Sequence, residues 1–111
     1  MDIPEHVKDY LDHIVRCIKE TIPVSAIYLF GSYATGTFHE DSDLDIYIVT
    51  PDTSKRKIEW QREASLSIGF PKQMPIDILV GYENDFERRS KLINFVENEV
   101  YVKGVELYAK S

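Results

Sequence analysis

The chain has one cysteine, Cys17, so no disulfide can close within it, and that thiol reads as a small buried hydrophobe on a helix. Long hydrophobic runs are missing too, since none approaches the roughly 18–20 residues that a membrane span requires. The N-terminus, MDIPEHVKDY, is charged where a signal peptide needs an apolar stretch, and the expected location is therefore the cytoplasm. Positive charge is in deficit: 13 basic against 19 acidic residues give a formal charge of −6. Such a field does not favour sequence-independent binding to nucleic acid phosphates, so no direct nucleic-acid partner is expected. Two common phosphate cradles, G-x-G-x-x-G and G-x-x-x-x-G-K-[ST], are absent, which argues against a Rossmann or P-loop reading. No repeat, linker or low-complexity tract divides the chain.

What remains is a composition of 43% hydrophobic and 29% charged residues over 111 positions, ordinary for one globular domain spanning 1–111. A domain of that size holds a core but has little room to enclose a substrate, so a deep pocket would need a second protein. Residues 4–21 carry Val7, Tyr10, Leu11, Ile14, Val15 and Ile18 at helical spacing, with Pro4 suited to the first turn. Pro23 ends that helix, and VSAIYLF (24–30) reads as a buried strand stopping at Gly31. LDIYIV (44–49) and PIDILV (75–80) are the next strands. Between them 54–68 reads as a helix with Ser54 as N-cap and Trp60, Ala64 and Ile68 as its core row. Residues 83–102 read as one or two helical pieces, with Phe86, Leu92, Ile93, Phe95 and Val96 available for burial. Gly104 is placed to cap them, and VELY (105–108) is a short final strand. Helices alternating with strands give an α/β (α+β) layered architecture.

The informative stretch is GSYATGTFHEDSDLDIYIV, residues 31–49. Along a strand Asp43 and Asp45 share one face while Leu44, Ile46 and Ile48 take the other, which must be the core. Two carboxylates so close resist ionising unless a cation or water separates them, and a magnesium-type ion, which takes carboxylate oxygens together with substrate phosphates, is the economical resident. Asp77 follows the same logic, because it interrupts the apolar run Ile76, Ile78, Leu79, Val80. Gly31, lacking a Cβ, lets backbone amides approach a phosphate, Ser32 adds a hydroxyl, and a short helix begun by YATG (33–36) would add free N–H donors. For these parts to converge, the end of the first strand must lie beside the starts of the second and third. The second strand then runs antiparallel to the first and parallel to the third, in a mixed sheet.

Gly31-Ser32, ten intervening residues, and then Asp43-Leu44-Asp45 resemble the signature of the polymerase-β-like nucleotidyltransferase superfamily. The short length, the leading helix, PIDILV and the closing KGVELY make nearly the whole chain similar to the minimal nucleotidyltransferases, or MNT proteins. The resemblance implies the polymerase-β-like fold, a mixed β-sheet flanked by helices. It implies that Gly31 and Ser32 contact a nucleoside triphosphate, ATP, and that Asp43 and Asp45 ligate two magnesium ions. Asp77 is implied to complete the metal site and help activate the incoming hydroxyl. MNT proteins commonly pair with a HEPN-domain toxin of ribonuclease type. The implied role is therefore that of an antitoxin in a type VII-like pair, transferring AMP to a tyrosine hydroxyl of the toxin, in a homo- or hetero-oligomer. The alternatives are a non-catalytic module that neutralises its partner by contact, and a small-molecule nucleotidyltransferase.

Other residues read more plainly. Glu40 and Asp41 are loop acids, and His39, His6 and His13 face solvent with no third ligand at metal spacing. Lys55, Arg56, Lys57 and Arg62 form a solvated helix face, as do Arg88, Arg89 and Lys91. Most of the seven tyrosines pack the core or sheet faces, while Tyr33 is equally suited to stack near a nucleotide or to pack its turn.

Overall fold

The computed structural model describes residues 3–70 and 72–110. In chain order these form α1 (Glu5–Thr21), β1 (Ala26–Phe30), α2 (Ser32–Thr35), β2 (Leu44–Thr50), α3 (Lys57–Ile68), β3 (Ile76–Tyr82), α4 (Glu83–Arg89), α5 (Val96–Lys103) and β4 (Val105–Ala109). The strands make one sheet in the order β3-β2-β1-β4, with β2 antiparallel to β1 and parallel to β3, the mixed arrangement that a converging site requires. The closing strand, β4, lies antiparallel to β1 at the far edge.

Strand alternation sorts the core into two layers. Ile27, Leu29, Leu44, Ile46 and Ile48 are fully buried on the face covered by α1 and α3. The α1 stripe of Val7, Tyr10, Leu11, Ile14 and Ile18 is buried against them, each side chain contributing roughly 1.5–3 kcal/mol of hydrophobic stabilisation. Trp60, Ala64 and Ile68 form the buried row of α3, as their spacing predicts. The opposite face carries Ala26, Phe30, Tyr47 and Val49, and it is covered by Phe86 of α4 and Val100 of α5.

Three expectations are corrected. Ser54 does not cap α3: the helix starts at Lys57, after Arg56, because the Asp52 carboxylate accepts the Ser54 N–H at 2.8 Å and bends the chain into an Asx turn first. Leu92, Ile93, Phe95 and Val96 are exposed rather than buried, since the α4–α5 connection and the first residue of α5 lie outside the layer that Phe86 and Val100 fill. Cys17 is half-buried at the edge of the α1 core, with Sγ 3.6 Å from the His13 ring. Among the described residues no helix is long and apolar enough to cross a membrane.

Candidate active site

Gly31 follows β1 directly and opens α2 with φ at 74°, a conformation that L side chains rarely adopt. A Cβ there would also collide with Asp45 Oδ2, so the bare backbone lets this carboxylate lie against the turn. In α2 the amides of Ala34 and Thr35 bond to the Gly31 carbonyl, at 3.1 and 3.2 Å, so the amides of Ser32 and Tyr33 remain for a ligand.

Asp45 sits between two partners across the sheet: Phe30 of β1 in antiparallel register and Asp77 of β3 in parallel register. With neighbouring strands about 4.8 Å apart, the Asp45 and Asp77 side chains emerge side by side from one sheet face. Asp45 is half-buried, Asp77 is exposed, and Asp43, exposed, precedes the first residue of β2. The Asp45 carboxyl is pushed above the usual carboxylate range, first by burial and then by the charges of Asp77, Asp43 and Glu99. The predicted acids therefore belong to one electrostatic neighbourhood.

Glu99, on α5, is the member that the sequence did not reveal. It interrupts no strand, and its closeness to Asp45 depends on how α5 packs over β1. A second acid of the same helix, Glu97, is buried and accepts a hydrogen bond from the Tyr47 hydroxyl at 2.7 Å. Burial and this carboxylate hold the Tyr47 hydroxyl far above its ordinary pKa, so it is a fixed donor. A Cβ on Gly81 would collide with that hydroxyl, which explains a glycine inside β3.

Tyr33 packs its turn: it is buried and stacked on Phe38, with ring centroids 4.4 Å apart. His39 is exposed. Lys55 pairs with Glu63 at 2.8 Å and Arg56 with Glu59 at 2.9 Å, so much of the basic cluster is engaged with acids of α3. Arg88 likewise pairs with Asp85 at 3.0 Å.

Among the described residues no three carboxylate, imidazole or thiol side chains are gathered at ligating distance. The chain offers two adjacent carboxylates in register, a third at the approach to β2, and a Cβ-free turn beside them. Magnesium needs no more, because it is held by one or two carboxylates and completes its shell with water and substrate phosphates. An all-oxygen donor set beside free amides fits a magnesium nucleotide.

The model of the nucleotidyltransferase domain family matches residues 11–108, and the chain belongs to that family. It is 38% identical over 55 residues to protein adenylyltransferase MntA of Shewanella oneidensis, a match covering 49% of this chain and 40% of that protein. A Methanocaldococcus jannaschii relative, whose assignment as a protein adenylyltransferase is itself inferred, is 29% identical over 80 residues, covering 72% of this chain and 76% of its own. A crystal structure of a toxin–antitoxin complex with AMP-PNP superposes with a TM-score of 0.60 at 27% identity, over 91% of this chain and 74% of that one.

Proposed function

We propose that the chain is a magnesium-dependent adenylyltransferase that moves AMP from ATP to a tyrosine hydroxyl of a HEPN-domain toxin, and so acts as its antitoxin. The observation that carries this reading is the register match of Asp45 with Asp77, beside a glycine whose missing Cβ admits the Asp45 carboxylate. Gly31 lets the turn approach the triphosphate, and Ser32 binds it through its backbone amide and hydroxyl, with the Tyr33 amide beside it. Asp43, Asp45 and Asp77 would hold two magnesium ions. Held there, such ions would supply positive charge against the α-phosphate and the departing pyrophosphate. Asp77, exposed, receives the proton of the attacking hydroxyl; a bond forms from that oxygen to the α-phosphorus, and the bond to the β-phosphate oxygen breaks.

The relatives support the acceptor class: one is a protein adenylyltransferase, and the AMP-PNP complex is a toxin–antitoxin pair. The match covers 40% of the Shewanella protein, so the acceptor and the partner are this proposal's own content. Exposure of Asp43 and Asp77 also suits a hydroxyl delivered on a second protein. ATP labelled at the α-phosphate should pass its label to a co-expressed HEPN toxin, and ATP labelled at the γ-phosphate should not. Transfer from the γ-position would make the chain a kinase and end this reading.

The exposed apolar side chains of the α4–α5 region, among them Ile93 at 86% exposure, favour a second reading, neutralisation by contact alone. Toxin neutralisation that survives Asp45→Asn without any label transfer would select it.

A further inference from the structure

A cavity of about 450 Å³ opens between the N-terminal part of α1, the segment that follows α2, and the α3–β3 connection. None of Gly31, Ser32, Asp43, Asp45 or Asp77 lines it. It is also on the other side of the sheet from the acids: Tyr33 and Phe38 pack with the α1/α3 core, whereas Asp45 emerges with Tyr47 beneath α4 and α5. Its interior is aromatic and apolar, formed by Tyr10, the stacked Tyr33–Phe38 pair and Met74. Its exposed lining residues are Pro4, His6, His39, Glu40 and Gln73, mostly polar.

The rim has a defined hydrogen-bonding sense. His39 Nδ1 accepts the Asp41 N–H at 3.4 Å, which puts the ring proton on Nε2 and makes that atom a donor. The His39 backbone N–H is in turn held by Ser42 Oγ at 2.9 Å. The Glu40 carboxylate offers oxygen acceptors beside His39. A ring that fits an aromatic interior and both donates and accepts at one edge is a phenol: its face meets Tyr33, Phe38 and Met74, and its hydroxyl donates to Glu40 and accepts from His39. We infer that this cavity is a second binding site, separate from the nucleotide site, for a phenolic ring. Its volume lies within the range of small-ligand pockets, and its few polar groups stand at the mouth, where they fix orientation.

Two sources share that chemistry, a free phenolic compound and a tyrosine side chain on a polypeptide. Backbone amide spectra of the full chain, titrated separately with p-cresol and with the tripeptide Ala-Tyr-Ala, distinguish them. Saturable shifts at Tyr33, Phe38, His39 and Met74 are expected, in roughly the millimolar range that so small a probe reaches. Shifts with both probes assign a polypeptide source, and shifts with p-cresol alone assign a free ligand. Phe38→Ala should abolish saturation. His39→Ala, at an exposed position, keeps the test decisive if Phe38→Ala fails to fold, and it should weaken binding by about 2- to 10-fold through one lost hydrogen bond. The inference is overturned if neither probe saturates, if the shifts fall on the α4/α5 face instead, or if magnesium ATP displaces p-cresol competitively. Because the readout is binding rather than transfer, it stands or falls separately from the adenylyltransferase reading.

Discussion

Asp45 Oδ2 lies where a side chain on Gly31 would begin. The turn proposed to meet a triphosphate and the strand whose carboxylate is proposed to bind metal are thus fitted to each other atom against atom. The backbone of Gly31, with φ at 74° and ψ at −153°, is in a region open to glycine almost alone.

Gly31→Ala should therefore lose stability for two separable reasons. Backbone strain costs on the order of 1–3 kcal/mol, and the collision with Asp45 adds to it. Urea denaturation of Gly31→Ala in the wild-type and Asp45→Ala backgrounds separates them. The loss should be smaller where Asp45 has been truncated, and equal losses would mean that the carboxylate does not lie against the turn.

Asp45→Asn should behave in the opposite sense in the absence of metal. Because the folded-state pKa of Asp45 is raised, ionising it costs more in the folded chain than in the unfolded one. The native state binds the extra proton, so this residue's contribution weakens stability as pH climbs from the ordinary carboxylate pKa to the raised one, and stays unfavourable above. The variant should melt higher than wild type at neutral pH, with the gap closing as pH falls through the usual carboxylate range. Magnesium should raise the melting temperature of the wild type and have much less effect on Asp45→Asn. A variant that melts lower than wild type at neutral pH without metal would contradict the crowding of acids.

The Tyr47–Glu97 bond joins β2 to α5 beneath the site. Tyr47→Phe leaves a buried carboxylate without its donor and should cost about 1–3 kcal/mol, measured by equilibrium unfolding. Gly81→Ala should cost less in the Tyr47→Phe background than in wild type, since the hydroxyl that the new methyl would strike has been removed.

The sheet order and the side-by-side placement of Asp45 and Asp77 were legible because each of these two acids breaks an apolar strand pattern, and the need to bring them to one turn dictates which strands run parallel. The resemblance of the Gly31-Ser32 and Asp43-x-Asp45 spacing to the nucleotidyltransferases agrees with the family match. Glu99 and the Tyr47–Glu97 pair were not legible. VENEVYVK shows no clear apolar stripe, and its two acids reach the sheet through contacts some 50 residues distant in sequence. The α3 start was misread because Asp52, two residues earlier, captures the Ser54 amide. Leu92 to Val96 were misread because apolarity announces that a side chain favours burial without saying what would cover it.

The most direct test is intact-mass analysis of a co-expressed HEPN toxin after incubation with this chain, ATP and magnesium, alongside the Asp45→Asn and Asp77→Asn variants. An AMP-sized addition on the toxin, mapped to a tyrosine and lost in both variants, is the predicted result. An addition that persists in both variants, or a neutralised toxin that never gains mass, would contradict catalysis by the paired acids of β2 and β3.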